Sequence, residues 1–90
     1  MCIEEEIEVL DAELADIKGG KIDSVAYDRL EILVENCKKA IRSLSKEITG
    51  ASRLRNDYFA NCKAQIHSIQ QKAKHLIKMY YQYQTAMFEF

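Results

Sequence analysis

The sequence predicts an all-α protein of three helices, in which helices 2 and 3 form a long antiparallel hairpin with coiled-coil-like seams. Three observations carry that reading. Apolar residues recur at alternating steps of three and four along most of the chain, the pattern of helices that lie along one another. There is no Pro, and the three Gly fall between the periodic segments, at Gly19, Gly20 and Gly50, so nothing interrupts long helices. An apolar fraction of 48% beside a charged fraction of 30% fits an ordered chain rather than a disordered one. Ninety residues form one helical domain, residues 1–90, with a core small enough that association commonly adds to stability.

Helix 1 is expected over about residues 3–18. Ile3, Ile7, Leu10, Leu14 and Ile17 form its seam, and acids fill the remaining faces. Glutamates in the first turn suit the positive end of the helix dipole, and Lys18 suits the negative end. Gly19-Gly20 then marks a stop. Helix 2 is expected over about 24–48, capped by Asp23 or Ser24. Its seam reads Tyr27, Leu30, Val34, Cys37, Ile41, Leu44 and Ile48, widened by Leu33, and Thr49-Gly50 reads as its end.

Helix 3 is expected over about 52–86. Its seam is the longest in the chain: Phe59, Cys62, Ile66, Ile69, Ala73, Leu76, Tyr80, Tyr83, Met87 and Phe90. This seam is about one residue out of phase with that of helix 2, which argues for a break between them rather than one continuous helix with a stutter. At 1.5 Å per residue the helices measure about 24, 37 and 52 Å. A hairpin about Gly50 then sets the start of helix 2 beside about residue 77. Helix 1 folds back toward the middle of the hairpin, and residues 78–90 overhang with no partner inside the chain.

That overhang holds five of the eight aromatics, Tyr80, Tyr81, Tyr83, Phe88 and Phe90, together with Met87. Tyr and Met are frequent interface anchors because they bury large area at low entropic cost. These six residues are the expected partner-binding site, for another protein or for a second copy in a homodimer.

The net charge of −1 conceals a gradient. Residues 1–16 carry seven acids and no base, whereas residues 49–90 carry six bases and two acids. Lys63, His67, Lys74 and Lys78 fall within an arc of about 60° on helix 3, a row that could track phosphates. It is short, and no aromatic is interleaved, so a solvated face or a dock for acidic helix 1 is the plainer reading. Helix 1 could itself imitate a phosphate backbone, although its seam already accounts for it as a packed helix.

Catalysis has little support. His67 and His75 stand about 80° apart around one helix, neither with a carboxylate four residues away, and no HExxH, glycine-rich phosphate loop or GxSxG occurs. Cys37 and Cys62 occupy seam positions, as small buried hydrophobes do, and Cys2 sits among glutamates that disfavour a thiolate. An odd cysteine count with no CxxC pair and no secretory segment reads as a reduced, cytoplasmic protein. No apolar run approaches a membrane span. The expectation is therefore a chain that is not an enzyme and takes no cofactor or metal. Its expected role is that of an adaptor, an assembly factor or an inhibitor of a larger cytosolic machine. The alternatives are a nucleic-acid-associated protein using the basic row and a DNA-mimicking, phage-type inhibitor using helix 1.

Overall fold

A computed structural model describes residues 2–48 and 53–88, with side chains described for residues 2–46 and 55–85. It contains α1 (Ile3–Gly19), α2 (Ser24–Ile48) and α3 (Arg53–Phe88), and no strand among the described residues. The boundaries lie within two residues of those expected. Asp23 makes the expected cap: its Oδ1 accepts from the Ala26 amide at 2.9 Å, satisfying one of the free donors of the first turn. α1 closes with the Gly20 amide donating to the Ile17 carbonyl, and Gly20 is extended at φ −105°. Neither Gly19 nor Gly20 uses the left-handed region. The turn at Thr49-Gly50 and the start at Ser52 lie outside the described residues.

α2 and α3 are antiparallel. Gln70 Nε2 on α3 donates to the Val34 carbonyl on α2 at 3.5 Å, and Tyr27 near the start of α2 meets Tyr80 and Tyr81 late in α3. The chain therefore reverses between Ile48 and Arg53, so the break read from the seams is real. α1 runs antiparallel to α2 and parallel to α3. Arg29 on α2 binds Glu13 and Asp16 on α1, while Tyr58 early in α3 donates to Glu4 at 2.6 Å. The C-terminal Lys18 of α1 shares a hollow with Lys72 and His75. α1 thus reaches past the middle of the hairpin to the level of Tyr58, further than expected.

The core is one continuous apolar cluster of buried residues from all three helices: Leu10, Leu14 and Ile17 from α1, Ala26, Leu30, Leu33, Cys37, Ala40 and Leu44 from α2, and Cys62, Ile66, Ile69 and Ala73 from α3. The buried apolar residues of α1 and α3 all lie on the seams read from the sequence, with Ile3, Ile7, Phe59, Leu76 and Tyr80 half-buried along them, but Tyr83 is exposed and the side chains of Met87 and Phe90 lie outside the described residues. The α2 seam needs a correction. Its buried line is Ala26, Leu30, Leu33, Cys37, Ala40 and Leu44, while the expected Tyr27, Val34 and Ile41 are only half-buried. The cause is that α2 packs against two helices. Tyr27 and Val34 lie on its α3 edge, and the best-shielded line falls between the neighbours, where Ala suffices. The particle is elongated, 58 × 20 × 15 Å. No helix among the described residues is long and apolar enough to cross a membrane.

Candidate interaction surface at the open end

α3 has 36 residues and α2 has 25, so α3 runs on where α2 begins. The overhang starts later than residue 78. The Tyr27 ring lies 5.1 Å from that of Tyr80 and 5.5 Å, edge-on, from that of Tyr81, within the range of favourable aromatic pairing. The Tyr27 hydroxyl donates to Glu31 Oε1 at 2.6 Å. Its only proton is then committed, so the Tyr81 hydroxyl, 2.7 Å away, is the donor to Tyr27. The hydrogen bond donated to the Glu31 carboxylate holds the Tyr27 hydroxyl well above the usual phenol range. Sequence spacing missed this because it counted rise per residue and not the reach of aromatic side chains across the groove.

Of the six expected anchors, Tyr80 is half-buried against Tyr27 and Tyr81 is tied to it, so these two hold the end of the hairpin together. Tyr83 is 61% exposed. The side chains of Met87 and Phe88, and the whole of Phe90, lie outside the described residues. The structure adds two residues that the sequence reading left out. Met79, 49% exposed, and Ile22, from the α1–α2 connection, join Leu76, Tyr80 and Tyr83 around an apolar hollow of about 250 Å³. Met79 lies off the seam and Ile22 outside any helix, so periodicity carried no signal for either.

Leu76 also borders a second hollow, of about 320 Å³, lined by Lys18, Ser68, Gln71, Lys72 and His75. No acid lines either hollow. The open end therefore presents apolar and aromatic surface with cations on its flank.

Comparison with protein-family models, with curated proteins and with solved structures finds no match to this chain.

The other candidate residues fall elsewhere. Lys63, His67, Lys74 and Lys78 share the side of α3 that turns toward α2, as Gln70 and Tyr81 show, with Lys63 half-buried and the others exposed. Acidic α1 packs along the opposite side of α3, so it does not dock on this row. No ion pair among the described residues joins the two. The acids of α1 are used locally instead, Glu4 on Tyr58 and Glu13 with Asp16 on Arg29. Those two carboxylates, Asp16 first, hold the Arg29 guanidinium firmly charged.

Cys37 and Cys62 are buried and Cys2 is exposed, all as free thiols. Burial pushes the Cys37 thiol up, away from reactivity. Among the described residues, no three His, Cys, Asp or Glu side chains converge as a metal site.

Sequence periodicity also passed over Val9, Val25 and Ile32, which lie off the seams and are more than half exposed. Val9 and Ile32 line one hollow of about 200 Å³ between α1 and α2. Val25 stands two turns before Ile32 on the same face of α2.

Proposed function

We propose that this chain is a non-catalytic protein-interaction module that binds through the open end of its bundle. The observation that carries this reading is the apolar hollow of Ile22, Leu76, Met79, Tyr80 and Tyr83, with Met79 and Tyr83 about half exposed or more. A cluster of Met and Tyr at the one end where α3 outruns its neighbours has no packing role that requires that exposure. Surfaces of this composition usually serve as interfaces. The stacked tyrosines fix the hollow before any partner arrives, which lowers the entropy lost on binding. The roles that fit are adaptor, assembly factor or inhibitor.

The test replaces Met79 and Tyr83 together with Ser, leaving the Tyr27–Tyr80–Tyr81 stack intact. Helicity by circular dichroism should be retained, while association in sedimentation and capture of partners from native extract should fall at least tenfold. Unchanged association and capture would move the function to the basic row or to α1. The nucleic-acid reading has its own check. Changing Lys63, Lys74 and Lys78 to Gln should leave capture intact, and loss of a DNA or RNA shift at physiological salt in that variant would favour the alternative.

A further inference from the structure

The open end and the α1–α2 face are both apolar, and their charged surroundings are of opposite sign. Beside the open-end hollow stand Lys18, Lys72 and His75, with no acid in either lining. Around Val9 and Ile32 the signs reverse. Glu13 lines that hollow with Arg29, and Arg29 is neutralised by Glu13 and Asp16 at 2.9 and 2.7 Å. On its other side Ile32 borders Asp28, Glu31 and Glu35, with Lys39 in the same lining. Glu35 is paired with Lys38 at 3.3 Å, which leaves Asp28 and Glu31 against Lys39.

From this we infer that the occupant of the open end is a second copy of this chain, seated by its α1–α2 face. The inference rests on the open end being a binding surface, as proposed above. Charge decides between the pairings available. Two open ends brought together would face the Lys18 and Lys72 cations with their own duplicates. Two α1–α2 faces would crowd Asp28, Glu31 and the surplus carboxylate of the Glu13–Asp16–Arg29 cluster against their duplicates. The mixed pairing alone sets cations against acids, while burying Met79 and Tyr83 of one copy on Val9 and Ile32 of the next. Like-charge contact of this kind suppresses wrong pairings more strongly than matched charge raises affinity. The contact is heterologous, since a joined pair still has one unused open end and one unused α1–α2 face. Copies therefore add head to tail, into a ring where the rotation closes and a filament where it does not.

The experiment uses the full chain and two variants. One carries Met79→Ser with Tyr83→Ser; the other carries Val9→Ser with Ile32→Ser. Circular dichroism first confirms that each is helical. The wild type should form species larger than a dimer in sedimentation, with mean mass rising with concentration and falling as salt is raised. Each variant alone should be monomeric. An equimolar mixture should give a one-to-one dimer, because the intact open end of the second variant meets the intact α1–α2 face of the first.

A wild type that stays monomeric while still capturing other proteins through Met79 and Tyr83 overturns the self-assembly and leaves the interaction reading in place. Loss of assembly only in the Met79–Tyr83 variant would point to a symmetric open-end dimer and overturn the mixed pairing. Two monomeric variants that fail to pair on mixing would show that the surfaces do not meet. Assembly and capture both indifferent to Met79 and Tyr83 would overturn the open end as a binding surface.

Discussion

The middle of the bundle and its open end solve the same packing problem with different side chains. In the middle three helices run side by side, and small or aliphatic residues fill the space. Leu30, Cys37, Ile66 and Ala73 are fully buried there. At the open end α1 has stopped, and α2 and α3 face each other with only Ile22 of the α1–α2 connection beside them. The α3 seam changes from Ala73 and Leu76 to Tyr80 and Tyr83, and Tyr80 and Tyr81 reach across to Tyr27. Where a third helix shields the seam, methyl groups suffice. Where it is missing, rings must bridge the gap, and their outer faces stay wet. The middle supplies stability, and the end supplies surface.

The sharpest break of that comparison is Leu30→Ala. Leu30 has no exposed surface and belongs to the shared core, so its truncation should destabilise by about 2–5 kcal/mol. Urea unfolding followed by circular dichroism measures it. A loss below about 1 kcal/mol would mean that the middle is packed no better than the end.

The middle was largely legible in the sequence, and the end only in part. Leu10, Leu14, Ile17, Cys62, Ile66, Ile69 and Ala73 were found because burial on one helix face imposes a period. The shifted line of α2 was less clear, because a helix touching two neighbours buries an arc wider than one seam. The aromatic cluster at the end was visible by composition, but its division of labour was not. Nothing in the spacing separates Tyr80, stacked on Tyr27, from Tyr83, which faces solvent. Ile22 joins the hollow through tertiary placement of a connection, and Val9 and Ile32 meet only because α1 lies along α2. Such juxtapositions leave no period to read.

Gly19→Ala sharpens the boundary at which α1 stops. Gly19 is the last residue of α1, with no positive φ, and a β-carbon there meets nothing within 4 Å. The substitution should stabilise by about 0.4–1 kcal/mol, by restricting the unfolded chain. A destabilised variant would show that the end of α1 needs glycine after all.

Alkaline pH compares the two ends directly. Tyr58 near the closed end donates to Glu4, and Tyr27 at the open end donates to Glu31. Both hydroxyls are held above the usual phenol range, each chiefly by its carboxylate acceptor. Because the folded state retains these protons longer than the unfolded chain does, their contribution is fully present below about pH 10 and declines as pH rises above it. The thermal midpoint of the wild type should therefore fall more steeply between about pH 10 and 12 than that of a Tyr27→Phe, Tyr58→Phe variant. Parallel curves would show that the two hydroxyls contribute nothing to folding.

The smallest expected effect is the one that separates surface from scaffold. Met79 and Tyr83 are exposed, and neither has a hydrogen-bond or ring partner among the described residues. The stack that joins α2 to α3 is made by their neighbours Tyr80 and Tyr81. Replacing both with Ser should therefore change monomer stability by no more than about 0.5 kcal/mol, measured in urea at a concentration where the wild type is dissociated. Helix propensity works slightly against Ser, so the sign should be a small loss. A loss of about 2 kcal/mol or more would place these side chains in the same structural class as Leu30, and the contrast between a stabilising middle and a presenting end would not hold.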